Sequence, residues 1–559
     1  MIKQLIINGK RSYDDFGVYI ATRKISQPKK KIIKETIPFS NVVYDFSNMN
    51  GEIYWEERTL EYSFDIAEYT TEEMEIIKSD LLDWLLNVHD ADIYDPYIGD
   101  YHFHGSFDSD SWDEDFGAGV LNVSFTVYPY KISNFDTTKT ESFGVSENGV
   151  VEGNYSIAGL KIDGKSVQNG TPTVNNSVEI ETMKNNVEIL SCGKNLLNIH
   201  NISPAGYTTT VNGIQYTLND DGSINVNGTA SENAFLYFYY EDTELYLPAG
   251  TYRLSYTVEN GSIAENSLRG GYYLENGNMT WINSVEPFTL SKGEKMFIYI
   301  VILKGVTANN LKVYPQLERG SSITAFEKYK GNVTTIPLSE PLRSLPNGVC
   351  DTYKNGVVTR RVGKIIFTGE ENWVNAGYNY NYASTFIENF KPSSYIYSNY
   401  FRYGQMKETI WIDSQAVAIN YGDTITDLET LKSFLKEKYN SGTPVYAEYE
   451  LLNPIIEVIE QQAITSYSPI TNVLVDGGLI TSFEVYYNES KTISIYNYSS
   501  HRISPMIEVE GSINITINNT TYAISDGVYD DVLFLEAGSN SLKLVGYGMI
   551  KISFKGERF

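Results

Sequence analysis

The sequence predicts a mainly β protein, and three observations carry that prediction. Most of its 559 residues alternate apolar with polar under Gly, Asn and Pro punctuation, as in "GTYRLSYTVENG", "KMFIYIVIL" and "INITINNTTYAI". Tyrosine alone supplies 45 residues, set among Asn, Gly, Ser and Thr, a composition suited to strands whose outer faces meet water or a polar ligand. Only two stretches follow helical spacing instead.

The start, "MIKQLIINGKRSYDDFGVYI", alternates and enters a glycine turn, so it reads as a first strand rather than a signal peptide. No apolar run approaches the roughly 18 residues of a membrane span. The chain is therefore expected in the cytosol when made, and exported, if at all, by another route. The basic cluster "QPKKKIIKE" reads as a solvated turn or a contact with an acidic neighbour. In "TTEEMEIIKSDLLDWLLNVHD", Thr70 and Glu73 stand at capping-box spacing, and Met74, Ile77, Leu81, Trp84 and Val88 form one apolar stripe, so this is a helix.

Asp100 to Gly119, "DYHFHGSFDSDSWDEDFGAG", holds two of the five histidines and six acidic residues. On a strand, His102 and His104 point to one face, as a metal pair would require. The acidic run fails the calcium-loop pattern, because Trp112 takes the fifth place and Asp113, Glu114 and Asp115 occupy the turn-glycine region. A strand followed by a charged, solvated turn is the reading, with no metal.

Composition shifts near Asn148 and Glu489 cut the chain in three, and "DGKSVQNGTPTVNN" just after the first has the character of a loop or linker. Pro337 and Pro341 would interrupt any continuing strand in the middle block. A second helix is predicted in "TDLETLKSFLKEKYNSG", with Thr426 and Glu429 at capping-box spacing, Leu428, Leu431 and Leu435 on one side, and a stop at Gly442.

The formal net charge of −27 argues against gripping nucleic acid phosphates. Cys192 and Cys350 lie far apart, giving no disulfide framework and no zinc pattern; they read as free thiols. No HExxH, GxSxG, P-loop or Cys-His signature occurs, and no cofactor is implied. With 70 acidic residues, chance carboxylate pairs abound, so sequence spacing cannot establish a glycosidase pair.

The flanks resemble a known family. In order come "SYDDFGVYI", "ISQPKKKIIKETIPFSN", "VVYDFSN", "IYWEERTLEYSFDI", the first helix and "GVLNVSFTVYPYK". This succession is similar to the N-terminal domain of the distal tail (Dit) proteins of long-tailed phages and prophages of Gram-positive bacteria. The last block, "ISIYNYSSHRISPMIEVEGSINITINNTTYAISDG" ending in "FLEAGSNSLKLVGYGMIKISFKG", resembles that family's C-terminal galectin-like sandwich. More than three hundred residues separate the two halves. The whole looks like the "evolved" Dit form, in which carbohydrate-binding modules are inserted, an insertion that loop-closure entropy makes cheap.

The resemblance implies an N-terminal β-sandwich with one helix (1–148), a linker and start of the insertion (149–193), a jelly-roll module (194–331), a second β module with one helix (332–489) and the galectin-like sandwich (490–559). It further implies a homo-hexameric ring at the virion tail tip, made in the host cytoplasm, joining tail tube to tip or tail-associated lysin. Host cell-wall saccharide is then the expected partner of the insertion, with no specific nucleic acid binding, no membrane and no enzymatic activity. The alternative is a tail-associated glycan hydrolase with its site in the insertion.

Sugar binding needs flat aromatic faces with polar side chains that fix hydroxyls. "GGYYLENGNMTWIN" offers Tyr272, Tyr273 and Trp281; "GEENWVNAGYNYNYAS" offers Trp373, Tyr378, Tyr380 and Tyr382. Sandwich core competes as the role of each, and the last three tyrosines alternate with Asn, so they share one face. Trp411 in "ETIWIDSQ" is expected in a core.

Overall fold

Capping chemistry decides where the first helix begins. The Thr70 hydroxyl accepts the Glu73 amide at 3.2 Å, and the Glu73 carboxylate accepts the Thr70 amide at 2.9 Å. Behind this box Thr71–Leu85 is helical, with Met74, Leu81, Trp84 and Leu85 buried; Val88 of the predicted stripe is buried just past its end. The computed structural model describes residues 3–48, 53–67, 70–115, 118–274, 277–375, 382–413, 416–476 and 480–559. Among these the chain is mainly β with two α-helices, in packed sheets of the β-sandwich class.

Two units divide the chain: Met1–Phe143 with Glu489–Phe559, and Gly144–Asn488. In the first unit the helix covers a sheet in which Leu60, Tyr62 and Phe64 of Arg58–Ala67 face inward beside Leu121, Val123 and Phe125 of Ala118–Val127. A second core gathers Ile507, Val509, Ile513, Leu542, Leu544, Ile550 and Ile552 from the long C-terminal strands.

The splice between the units is visible in the register. Strand Lys131–Phe143 runs antiparallel along Gly538–Arg558 until Phe143 meets Gly548. Strand Glu489–Asn497 resumes the same line from Gly546. One strand line is thus interrupted at a single point, where residues 144–488 depart and return. Within the second unit the two ends are zipped together: Val145 pairs with Tyr486, and the Tyr487 amide donates to the Gly144 carbonyl at 2.9 Å.

The second unit has three larger cores. Residues 194–331 form a sandwich of a six-stranded and a five-stranded sheet, with Tyr216, Val226, Leu254, Ile298, Ile300 and Val313 between them. Leu160, Ile162, Val187, Ile189, Val473 and Val485 fill the next core. The last packs the second helix, Leu428–Asn440, on Phe367, Trp373, Ile410 and Val445.

Two sequence expectations need correction here. Residues 149–193 carry five strands, and Ser166–Gln168, inside the supposed linker motif, pairs with Ile180–Thr182; hydrogen-bonded pairing there needs only backbone groups, so polar side chains do not forbid it. The second helix is capped by Asp427, whose carboxylate accepts the Thr430 amide at 2.8 Å, not by a Thr426–Glu429 box. An aspartate carboxylate is a charged acceptor at the positive helix end, so it outcompetes the neighbouring threonine. The predicted stop holds: Gly442 sits at φ +78°, which a side chain would disfavour. Pro337 likewise ends its strand.

Candidate functional site

Strand Glu294–Ile302 shows why the 194–331 sandwich has an unusual outer face. Met296, Ile298, Ile300 and Ile302 point into the core, as period two demands. The alternate positions, where a solvated strand would be polar, are Phe297, Tyr299 and Val301, which form an apolar cluster of their own. Register extends that cluster sideways. Tyr237 lies opposite Tyr299, Phe235 opposite Val301, Gly271 opposite Phe297, Trp281 opposite Gly271 and Met279 opposite Tyr273.

The rings form one connected cluster, in which Phe297 and Tyr299 are buried and Phe235, Tyr237, Tyr240, Tyr273 and Trp281 are exposed. Centroids are 4.7 Å apart from Tyr240 to Tyr237, 5.1 Å from Tyr237 to Tyr299, 6.3 Å from Tyr299 to Phe297 and 5.7 Å from Phe297 to Trp281. Phe235 and Tyr273 flank this path, at 5.5 Å from Tyr299 and 6.0 Å from Phe297. Gly271 is required by the packing, because a Cβ there would stand 2.5 Å from the Thr280 carbonyl oxygen and 2.6 Å from Phe297 Cζ.

Polar groups border the rings. Burial pushes the Tyr299 hydroxyl up, against the opposing pull of Arg269, and burial with the neighbouring hydroxyls of Tyr299, Tyr240 and Tyr273 pushes Tyr237 up. The Tyr237 and Tyr299 phenols therefore stay protonated and can both donate and accept. Arg269 Nε donates to the Asn266 carbonyl at 2.7 Å. An aromatic face with hydroxyls along it can stack on the C–H face of a sugar ring while hydrogen-bonding its edge.

The predicted aromatics fall into different places. Trp281, 62% exposed, and Tyr273, 53% exposed, lie on this face. Tyr272 points the other way and packs against the sandwich core. Trp373 is 4% exposed, its ring 5.5 Å from Phe367 and its indole N–H donated to Glu371 at 2.9 Å. It belongs to a core and presents no face to a ligand, which corrects its candidacy. Tyr378 and Tyr380 lie outside the described residues. Trp411 is half-buried in the small sheet. Phe235, Tyr237, Tyr240, Phe297 and Tyr299 were not singled out by sequence; their signal was alternation of aromatics in "AFLYFYY" and "MFIYIVI", which reads equally well as core.

The histidine stretch closes on itself. His104 Nδ1 lies 2.7 Å from Asp92 and its Nε2 2.9 Å from Asp90, while His102 Nδ1 meets the Asn134 side-chain oxygen at 2.8 Å. Burial works against the charged His104 ring, but the two carboxylates overrule it and raise its pKa; Asp92 is lowered, its partial burial outweighed by the histidines and Lys555. Among the described residues no group of three or more His, Cys, Asp or Glu could hold a metal ion. The two most enclosed acids, Asp351 and Glu448, are both raised by burial, and Asp351 already accepts the Arg343, Arg361 and Val362 amides at 3.1, 2.7 and 2.9 Å.

No family model matches the chain, and no curated protein matches it. Among solved structures it is similar to the Dit (gp 19.1) protein of phage SPP1, described as a paradigm of the hub adsorption apparatus in phages infecting Gram-positive bacteria. That match has 10% identity and a TM-score of 0.22, covering 57% of this chain and 99% of that one. A likeness of this size carries no argument about function. Among the described residues no helix is long and apolar enough to cross a membrane.

Proposed function

We propose that the protein is a structural hub of a phage or prophage tail tip: a homo-hexameric ring joining tail tube to tip, whose inserted 194–331 sandwich binds host cell-wall saccharide without turning it over. The ordered motifs of the two flanks support the hub. The observation that carries it is a hairpin in the first unit. Among the described residues, strands Lys34–Thr36 and Val43–Asp45 pair only with each other, and every residue of both is exposed. Around them Ile32, Ile37, Phe39, Val42, Val43 and Phe46 are open to solvent. A two-stranded hairpin is marginal alone in water, and an apolar one needs cover, which a neighbouring copy in a ring supplies.

The aromatic face supports the adsorption half of the reading, and six copies would raise weak single-site affinity by avidity. Electron microscopy with light scattering of the purified chain tests the hub. Six-copy rings are expected, and Phe39→Asp with Val42→Asp should leave folded monomers. A wild-type chain that stays monomeric at all concentrations, also with tail tube protein added, contradicts it. Wall polysaccharide incubated with the protein should be retained on it without release of new reducing ends.

A further inference from the structure

Arg58 stands where the sheet of the first unit calls for an apolar residue. It shares strand parity with Leu60, Tyr62 and Phe64, so its side chain lies on the core face, and it is only 5% exposed. Its guanidinium carbon sits 4.8 Å from the centre of the buried Phe103 ring. Nε and Nη2, which together make one edge of the guanidinium fork, have no hydrogen-bond partner among the described residues. A buried charged donor left in this way costs free energy, so its presence calls for an acceptor.

Register brings two more cations to the same place. Ile132 of Lys131–Phe143 lies opposite His102, so Lys131 falls beside Phe103, and across its other edge Lys131 lies directly opposite Arg558. Like charges set opposite one another repel. The adjoining carboxylates are held elsewhere: Asp95 pairs with Arg23 and accepts the Tyr62 hydroxyl at 2.7 Å, and Glu557 lies 2.8 Å from His501 Nε2. Among the described residues Arg58, Lys131 and Arg558 form no ion pair with a carboxylate; Arg558 Nε donates to the Tyr498 carbonyl at 3.2 Å. Burial and the charges of Arg58, Arg23 and Arg558 all hold Lys131 below the ordinary amine value. Arg58 is buried, Lys131 half-buried and Arg558 exposed, so the cluster opens to solvent at one end.

We infer that Arg58, Lys131 and Arg558 form a binding site for a compact dianionic oxyanion of the phosphate class, seated on the free edge of the Arg58 guanidinium, with Lys131 and Arg558 supplying further positive charge. The Nε and Nη2 edge offers two parallel donors, which suits two oxygens of one phosphate or carboxylate. Three cations without a carboxylate partner favour the double charge of a phosphate over the single charge of a carboxylate. The site belongs wholly to the first unit and does not rest on the hub or saccharide readings.

Isothermal titration calorimetry of the full-length chain with inorganic phosphate, glycerol 3-phosphate and acetate tests this, at an ionic strength fixed with sodium chloride. One phosphate per chain should bind, and acetate should bind about tenfold more weakly or worse. Phosphate should raise the melting temperature of the wild type, and sodium chloride at matched ionic strength should not. Arg58→Met, which keeps an apolar stem against Phe103, should lose about 10- to 100-fold in phosphate affinity and melt no lower than wild type in the absence of phosphate. Lys131→Gln, nearer to solvent, should lose about 3- to 10-fold with its fold intact. Binding of inorganic phosphate alone marks a site for the free ion, and binding of both phosphates marks a site for a phosphate group carried on a larger molecule; either upholds the inference. Wild type that does not bind inorganic phosphate, acetate that binds as tightly, or two variants that both bind phosphate like wild type would overturn it and leave Arg58 as a packing partner of Phe103.

Discussion

Two strands of this protein each place a pair of rings at i and i+2 on one face: His102 with His104 in the first unit, and Phe297 with Tyr299 in the second. The local geometry is the same, and the outcome is opposite because of what register sets across from each pair. Asp92 lies directly opposite His104, so carboxylate meets imidazole and the polar cluster completes itself. Gly271 lies opposite Phe297, so no cross-strand side chain pairs with the ring, which is buried in an aromatic cluster that continues to the exposed Trp281. A stretch rich in chemically versatile residues thus becomes structural, while an apolar strand carries an aromatic cluster of which Tyr237, Tyr273 and Trp281 are exposed. Residue type proposes a function, but the cross-strand neighbour decides whether the group is spent or available.

The two tryptophans Trp281 and Trp373 break this contrast most sharply. Trp373→Ala should cost about 3–5 kcal/mol, because it empties a core position and strips Glu371 of its indole donor. Trp281→Ala should change stability by no more than about 0.5 kcal/mol, since its ring is mostly in solvent. Chemical denaturation monitored by circular dichroism reads both, and equal costs would mean that the two rings do the same job.

Gly271→Ala should cost about 1–3 kcal/mol and weaken saccharide binding together, because the new Cβ must displace either the Thr280 backbone or the Phe297 ring. Thermal unfolding and glycan binding, measured on one sample, check that coupling. Thr70→Ala should remove about 1 kcal/mol by taking one half of the capping box, with no effect on binding.

The histidine cluster gives the smallest effect, about 0.2–1 kcal/mol, because His104 and its partners are partly exposed. His104 has a raised pKa in the fold, so its contribution is complete below about 6.5 and is lost as pH rises through the raised value. Asp92 has a lowered pKa, so its contribution is present above about 3.9 and is lost as pH falls through the lowered value. The groups around the ring are Asp90, Asp92, His102, Tyr128 and, through Asp92, Lys555. Unfolding midpoints from pH 5 to 8 should decline in wild type and decline less in His104→Gln; parallel curves would show that the cluster contributes nothing.

Much of the fold was legible because its signals are local. Period two announced the strands, Thr70 and Glu73 placed the first helix, and Gly442 ended the second. The cap at Asp427 was misread because two adjacent polar residues each offered a plausible acceptor. The site was legible only in part, for a physical reason. Alternation says that Tyr272 and Tyr273 face opposite ways, but not which side is the core; that depends on the sheet packed beneath, which only the folded chain reveals. Trp373 failed for the same reason, and Tyr237 and Tyr299 were hidden because an aromatic strand facing outward looks like one facing inward.

The most direct test of the whole account joins residue 144 to Glu489 and deletes what lies between. The register leaves one position between Phe143 opposite Gly548 and Glu489 opposite Gly546, so Gly144 alone can bridge the strand line. The shortened chain is predicted to fold, to form the same ring by electron microscopy and to lose all saccharide binding. A shortened chain that still binds saccharide, or one that folds by circular dichroism yet no longer assembles, would contradict the division of assembly and binding between the two units.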